Sequence, residues 1–469
     1  MVELRVNQSR SLLMKTTAEK DHAAREELKR HARDGDSRAQ YALSELLFND
    51  GNKVEALEWL ESAVRDNLPG ACFTMATFQV AGQLVQYDAV GARQNLARAS
   101  ELGHADAKFL LSQFLRSGYG GHKDAKSANE LLIALAKQDH PMALCGVGML
   151  LYIRGAPIDT VEVLLEKAAN TGSHIAAYIQ AHKKKEAELA GDVTGRNDRI
   201  KYLILSANAG NRLAEAELVT YQKNLVQEIL DSGLLLRSPE SRIDFDKIEE
   251  LMQENVDYVF DAPEILAVEN NILIYRKFLT PLECAYIQAA AAANIQPSST
   301  IHPLTGKYIK NEIRTSSSSN FDPVSRDCVI YSIEERIAAA TNTNVDQGES
   351  LNVLYYRIGE EYKYHNDHLP EDGKEDVTFL KESGQRKYTF LVSMNEGYLG
   401  GETYFPDLDV TYRGKLGDAL MFHNLNSDGS ANKLMRHAGL PLKEGCKWVA
   451  SKWIREKKFN FGTPSHQPE

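Results

Sequence analysis

The residues of this sequence that could carry chemistry are two histidines, an aspartate and a lysine near its C-terminal end. His365 and Asp367 are two residues apart, so on a β-strand their side chains would leave the same face. His437 is the third candidate ligand. Two imidazoles and one carboxylate leave open positions on a metal, the arrangement with which non-haem Fe(II) oxygenases bind a cosubstrate and dioxygen. An H-x-D triplet alone is more often a surface feature, so the downstream residues carry the argument.

A turn and an alternating run follow His437. Pro441 and Gly445 mark the turn, which predicts His437 and Lys447 on neighbouring antiparallel strands. Alternation places one set of side chains on an inward face, namely Lys447, Val449, Ser451 and Trp453. A lysine there could hold the distal carboxylate of a dicarboxylic cosubstrate as a compact charge. Without these neighbours, a solvated strand lysine would be the default interpretation.

Strand-like runs surround these residues in a definite order. They are Arg314-Thr315-Ser316, 351–356, 384–391, 400–406 and 414–422. With the H-x-D triplet and the late histidine and lysine, residues 263–461 resemble the 2-oxoglutarate- and Fe(II)-dependent prolyl 4-hydroxylase family. The resemblance implies a double-stranded β-helix (jelly-roll) domain that converts 2-oxoglutarate and dioxygen to succinate and carbon dioxide as it hydroxylates its substrate. It also implies ascorbate binding.

Carried over by position, the resemblance implies three groups of site residues. The iron ligands would be His365, Asp367 and His437. The 2-oxoglutarate clamp would be Lys447 with help from Thr403 and Tyr356. The peptide substrate would touch Arg386, Tyr362 and Trp453.

The substrate residues also have simpler interpretations. On a regular strand Tyr362 would face away from His365, so its role requires an irregular strand entry after Gly359. Arg386 is equally well interpreted as an exposed strand charge, and Trp453 is equally well interpreted as a core aromatic. The substrate residues are therefore less firmly indicated than the iron ligands.

Two departures from the family pattern leave the substrate open. Tyr404 stands where the family usually has an apolar residue, and the loop from His368 to Gly384 has its own charge pattern. The leading hypothesis is hydroxylation of proline in a protein or peptide. The alternatives are the same chemistry on a free amino acid, a small metabolite or another side chain, and a non-catalytic repeat adaptor with a retired oxygenase fold.

Composition and charge limit the partners and the cellular compartment that we expect for this protein. The chain has 469 residues, 54 basic and 65 acidic side chains, and a net charge of -11, which disfavours nucleic acid as a partner. Its apolar runs are shorter than the ~20 residues of a membrane span, and the first residues do not resemble a signal peptide. Five scattered cysteines suit a reducing compartment. We therefore expect a cytoplasmic protein; the oligomeric state stays open.

The N-terminal half repeats with a period of about 36 residues. Alanine-rich segments such as 39–43 and 105–111 are each followed by a second helical segment, 56–60 and 128–132. Small alanines let paired helices approach closely, and stacked pairs bury one continuous core. The pattern resembles Sel1-like repeats, relatives of the tetratricopeptide helix pairs. Such a solenoid would present a concave face to a protein substrate or regulator, or act as a structural spacer or dimerisation arm.

The fold class that follows is a multidomain chain, with an all-α solenoid of helix-pair repeats before a jelly-roll oxygenase domain with flanking helices. The predicted domains are a capping helix (1–35), repeats (36–224), an acidic connector (225–262), the oxygenase domain (263–462) and a tail (463–469). Within this plan we predict a helix over 245–255, a strand over 272–279, a helix that begins after Thr280 with Pro281 in its first turn, and a flanking helix over 327–340.

Overall fold

The computed structural model describes residues 23–82, 84–233, 243–253, 256–267, 272–298, 300–301, 308–309, 313–369 and 376–459. The chain divides into two compact units, Met1–Ala125 and Lys126–Glu469. Of the predicted capping helix 1–35, residues 23–33 are described and helical. The predicted tail 463–469 lies outside the described residues.

The first unit is built of helices. They are α1 (23–33), α2 (Ser37–Asn49), α3 (Lys53–Arg65), α4 (Pro69–Ala81), α5 (Ala89–Glu101) and α6 (Ala105–Ser117). Helices α2 and α3 pack as one pair, and α4 and α5 as the next. Alanines at the contacts, such as Ala56, Ala71 and Ala92, are 0% exposed. Their small side chains allow the close approach that the sequence pattern predicts.

The second unit begins with helices as well. Its helices are α7 (Ala125–Lys137), α8 (Pro141–Ile153), α9 (Ile158–Asn170), α10 (His174–Lys183), α11 (Lys185–Leu189), α12 (Val193–Asn208), α13 (Arg212–Leu218), α14 (Lys223–Asp231) and α15 (Phe245–Gln253). Helix α8 packs against α9, and α10 against α12. A side chain accepts a backbone N–H at the start of recurring helices, at Asp36, His104, His140, Ser173 and Asn211. The predicted helix-pair solenoid is confirmed.

The C-terminal part combines strands with flanking helices. The strands are β1 (Glu264–Ala267), β2 (Ile272–Tyr275), β3 (Gln296–Pro297), β4 (Thr300–Ile301), β5 (Tyr308–Ile309), β6 (Ser317–Phe321), β7 (Leu351–Tyr356), β8 (Tyr362–His365), β9 (Arg386–Ser393), β10 (Leu399–Gly400), β11 (Thr403–Phe405), β12 (Val410–Tyr412), β13 (Ala419–His423), β14 (His437–Gly439), β15 (Leu442–Glu444) and β16 (Lys447–Arg455). The helices are α16 (Pro281–Ala292), α17 (Cys328–Thr341) and α18 (Asp376–Ser383).

Two facing sheets form the predicted jelly roll. Among the described residues, the larger sheet has the order β1-β2-β13-β9-β16-β7-β6-β3, and the smaller has the order β12-β11-β14-β8. The start of α16 is as predicted, because Thr280 caps it with a reciprocal bond to Glu283 and Pro281 occupies its first turn. The flanking helix α17 is confirmed as well, with Asp327 as its cap.

The later repeat helices pack directly on the oxygenase domain. Helix α10 packs against α16, and α8 against α17. Contact at the second pair is tight, since a Cβ at Gly146 would lie 3.0 Å from the Cys328 sulfur. Helix α15, in the predicted acidic connector, joins the same assembly through a 2.8 Å bond from Asn129 Nδ2 to the carbonyl of Met252. The helices from α8 onward therefore share one compact unit with the oxygenase domain.

Candidate active site

The predicted ligand residues come together between the two sheets. His365 ends β8, and its Cα is the register partner of His437 on the adjacent β14. One ligand atom from each of His365, Asp367 and His437 lies within 4.8 Å of the others. The Nε2 atoms of His365 and His437 lie 3.5 and 3.7 Å from the two carboxylate oxygens of Asp367. Asp367 itself lies in a bend after β8, so the prediction that both residues of the triplet occupy one strand is wrong.

Backbone carbonyls orient both imidazoles for metal binding. Nδ1 of His365 is 2.8 Å from the carbonyl of Lys363, and Nδ1 of His437 is 2.9 Å from the carbonyl of Met435. Since a carbonyl only accepts, each Nδ1 carries the proton and donates it. Each Nε2 then keeps a lone pair directed toward Asp367. These are the tautomers that a metal requires.

A chain of hydrogen bonds fixes the aspartate. The hydroxyl of Thr389 donates to Asp367 Oδ2 over 2.7 Å, and Asn424 Nδ2 donates to the Thr389 hydroxyl over 2.9 Å. All three side chains are buried. Thr389 therefore fixes the carboxylate so that Oδ1 faces His365 and Oδ2 faces His437. The sequence gives no signal for Thr389 or Asn424, because the bonds depend on how distant segments pair.

Electrostatics favour the protonation states that bind a cation. Burial alone would raise the pKa of Asp367, but His437, His365 and Arg386 outweigh it and hold the pKa below its usual range. Burial lowers the pKa of His437 to about 4. At neutral pH the carboxylate is therefore ionised and the His437 ring is neutral, as metal ligation requires.

Lys447 lies across the same cavity, and it comes from the other sheet. It begins β16, which pairs with β7 and β9, whereas His437 lies on β14, which pairs with β11 and β8. The prediction that these residues sit on neighbouring strands is wrong, because Pro441 and β15 carry the chain across from the smaller sheet to the larger. The predicted inward set of Lys447, Val449, Ser451 and Trp453 does line the cavity.

The Lys447 side chain is buried, and its amine donates to a backbone carbonyl. Lys447 is 7% exposed, its Nζ donates to the carbonyl of Gly401 over 2.6 Å, and it lies 5.3 Å from the ring centroid of Tyr356. Burial lowers its pKa to about 8. Because an ammonium has three N–H donors, the bond to Gly401 leaves donors for a second acceptor. Thr403 and Tyr356, the other residues of the implied clamp, line the same cavity.

Tyr362 reaches the cavity through a strand irregularity. Three residues of β14, from His437 to Gly439, lie opposite four of β8, from Tyr362 to His365, so β8 carries an extra residue. Tyr362 therefore stacks on His365, with centroids 3.5 Å apart and planes 14° from parallel. Gly359, before the strand, has a φ of +83°. The irregular entry that its predicted position requires is present.

The other two predicted substrate residues, Trp453 and Arg386, differ in their relation to the cavity. Trp453 lines the cavity, and within the described residues its buried Nε1 has no hydrogen-bond partner. Arg386 is absent from the described cavity lining and stands behind Trp453, 3.8 Å from its ring centroid. Its guanidinium forms a two-pronged ion pair with Glu349 at 2.6 and 2.8 Å. Arg386 therefore supports the tryptophan, and neither the exposed charge nor a direct cavity contact describes it.

Further residues of the cavity were not singled out from the sequence. They are Arg314, Leu354, Leu391, Ser393, Tyr398, Gly401, Tyr412, Gly414 and Gly439. Arg314 stands over the ring of Tyr362 at 5.3 Å, and the sequence indicates it only as part of a strand-like run. Tyr404, the departure from the family pattern, donates from its hydroxyl to Asp409 and is not among the described lining residues.

Comparisons with known proteins agree with this geometry. The model of the 2OG-Fe(II) oxygenase superfamily matches residues 351–455, which contain the His-Asp-His cluster and Lys447. Fold and site thus define an oxygenase of that class. Prolyl 4-hydroxylase 1 of Arabidopsis thaliana is 35% identical over 209 residues, which cover 42% of this chain and 72% of the relative. The chain belongs to the prolyl 4-hydroxylase-like family of 2OG-Fe(II) oxygenases.

Two solved structures resemble different parts of the chain. A viral collagen prolyl hydroxylase from Paramecium Bursaria Chlorella virus-1, in complex with 2-oxoglutarate, is 27% identical and covers 39% of this chain and 95% of its own, with a TM-score of 0.30. A Sel1 repeat protein from Oxalobacter formigenes is 33% identical and covers 24% of this chain and 87% of its own, with a TM-score of 0.23. Across the described residues, the helices are too short or too polar to cross a membrane.

Proposed function

We propose that this protein is an Fe(II)- and 2-oxoglutarate-dependent dioxygenase that hydroxylates proline in a protein or peptide substrate recruited by its helical repeats. One observation carries the proposal. The His365, Asp367 and His437 cluster and the buried Lys447 amine face one cavity from opposite sheets. A metal site and a fixed positive charge across one cavity suit a dicarboxylic cosubstrate that chelates at one end and is held at the other.

The residues present fit the metal. Two imidazole nitrogens and a carboxylate oxygen converge within 4.8 Å, and they leave open positions for cosubstrate and dioxygen. Fe(II), when bound, would supply the redox chemistry that couples the oxidative decarboxylation of 2-oxoglutarate by dioxygen to hydroxylation of the substrate. The protein holds His365 and His437 through backbone carbonyls and Asp367 through Thr389.

The cosubstrate would be held chiefly by Lys447. Its ammonium pairs with the distal carboxylate, while the hydroxyls of Thr403 and Tyr356 donate further hydrogen bonds. Apolar neighbours such as Leu354 and Val449 shape the space between the two ends. Since the Lys447 side chain is buried, the ion pair is stronger there than on the surface.

Substrate proline would enter beside Tyr362 and Trp453. Both rings line the cavity near the metal ligands, and the free Nε1–H of Trp453 can donate to a peptide carbonyl. Arg386 keeps the Trp453 ring in place through its stacking contact and its ion pair with Glu349. Proline as the hydroxylated residue is supported by the prolyl 4-hydroxylases among the relatives.

Incubation of the purified protein with Fe(II), 2-oxoglutarate, ascorbate and a proline-containing peptide tests the proposal. We expect succinate to form and the peptide to gain one oxygen by mass spectrometry. Asp367→Ala should abolish both products, whereas Asp428→Ala, on an exposed loop, should leave both unchanged. Succinate formation that survives Asp367→Ala would remove this residue from the metal site. Succinate without an oxidised peptide would favour a different substrate.

A further inference from the structure

Lys447 occupies a position that needs support from outside its own strand. It is the first residue of β16 and directly follows the turn at Gly445 and Cys446. Gly445 has a φ of +76°, so the turn adopts a conformation that other residues rarely take. Strand ends next to turns fray readily. A buried amine that must meet a carboxylate needs its backbone held.

Asn395 supplies that support from the loop after β9. Its side-chain amide donates to the carbonyl of Cys446 over 2.7 Å. Its side-chain oxygen accepts the backbone N–H of Trp448, also over 2.7 Å. One side chain therefore bonds to the residues on both sides of Lys447. Both lengths are at the short end of the range for N–H···O bonds.

The rest of the same loop surrounds the lysine. A Cβ at Gly445 would lie 3.1 Å from the carbonyl of Gly397, so the loop packs closely on the turn. Directly after β10, which follows this loop, the carbonyl of Gly401 accepts from Lys447 Nζ. A Cβ at Gly401 would lie 3.2 Å from Lys447 Cδ, which leaves little room for the stem to move. The loop thus contacts the turn, the flanking backbone, the stem and the amine.

We propose that Asn395 is a positioning residue for cosubstrate binding, which fixes the backbone of Lys447 so that the amine meets the distal carboxylate. This inference rests on the proposed function, in which Lys447 binds 2-oxoglutarate. Asn395 is half-buried and is not among the described residues that line the cavity. It therefore acts through Lys447, and its removal should weaken cosubstrate binding without removing a contact to the cosubstrate itself.

Calorimetric titration of 2-oxoglutarate into the full-length, Mn(II)-loaded protein without oxygen measures this binding apart from turnover. We expect Asn395→Ala to weaken the affinity about tenfold, since two hydrogen bonds are lost, and Lys447→Ala to weaken it about a hundredfold. Asn426→Ala removes the same side chain from an exposed loop of the same domain and should bind as the wild type does. Mn(II) affinity should be the same in all of them.

The double variant separates positioning from general damage. If Asn395 acts through Lys447, then Asn395→Ala should have no further effect on affinity once Lys447→Ala is present. Asn395→Asp keeps the acceptor for Trp448 but loses the donor to Cys446, so it should fall between the wild type and Asn395→Ala. If Asn395→Ala does not fold, the affinity of Asn395→Asp for 2-oxoglutarate tests the positioning role in its place.

Three outcomes would overturn the inference. Wild-type affinity in Asn395→Ala, while Lys447→Ala binds weakly, would remove the positioning role and leave the proposed function intact. A tenfold loss that persists in the Lys447→Ala background would make Asn395 a general structural residue. Unchanged affinity in Lys447→Ala would instead refute the cosubstrate role of the lysine, and with it the proposed site.

Discussion

The pH dependence of cosubstrate capture offers a direct test of Lys447. Burial lowers the pKa of this lysine from its ordinary 10.5 to about 8. In the enzyme without cosubstrate, a rise from pH 7 to pH 9 would leave about a tenth of the molecules with a charged amine. The ratio kcat/KM for 2-oxoglutarate reports the free enzyme, so it should fall about tenfold over this range. The value of kcat should change less, because a bound carboxylate raises the lysine pKa again.

Stability should change in the opposite direction. The unfolded chain, with a lysine of ordinary pKa, binds more protons than the folded one between about pH 8 and 10.5. The contribution of this lysine to the free energy of unfolding without cosubstrate should therefore rise with pH across this window, by up to about 3 kcal/mol, and the difference between the wild type and a variant at this position isolates it. Tight binding below pH 8 and greater stability above it would be two results of one buried amine.

The assay compares the wild type with Lys447→Arg, whose guanidinium stays charged throughout. Succinate formation at several 2-oxoglutarate concentrations gives kcat/KM at each pH, and urea unfolding at pH 8 and 10 gives stability. The arginine variant should bind less well but show neither trend. A wild-type kcat/KM that is flat from pH 7 to 9, or the same fall in the arginine variant, would refute the assignment.

Three further predictions concern two side chains at the site and the helical repeats. Thr389→Val removes the hydroxyl that holds Asp367 and should weaken Fe(II) binding about ten- to hundredfold in a chelator competition, whereas Thr411→Val, at the exposed position of β12, should not. Trp453→Phe, which lacks the N–H, should raise the KM for a proline peptide several-fold and leave the KM for 2-oxoglutarate unchanged. Deletion of residues 1–125 should preserve succinate formation, whereas deletion through residue 235 should yield aggregated protein, because α16 and α17 lose the cover of α10 and α8.

The groups that do the chemistry were predictable because their residue types are rare and their order along the chain is distinctive. His365, Asp367, His437 and Lys447 meet at one cavity, as expected. The path of the chain between them was not predictable, since Pro441 looks the same whether a turn closes a hairpin or crosses between sheets.

Thr389 and Asn395, which support the site residues, could not be predicted from the sequence for a related reason. Thr389 is 22 residues from Asp367 along the chain, and Asn395 is 53 from Trp448. The Asn395 bond to Trp448 forms only once β9 is in register with β16, and the Thr389 bond forms only once the bend after β8 lies against β9. Threonine and asparagine at such positions are otherwise ordinary strand and loop residues. The alanine period predicted the helix pairs but carried no information about which of them would cover α16 and α17.

If the repeats recruit a protein substrate, as proposed, the packing of α8 and α10 on the oxygenase domain would affect which proline is hydroxylated. A flexible tether would let many positions along a bound protein sample the cavity. Here the repeat helices from α8 onward belong to the same compact unit as the metal ligands. A partner held on those helices would therefore meet the iron at a set distance from its docking point. The spacing between the docking motif and a proline in the partner would then decide which proline is hydroxylated.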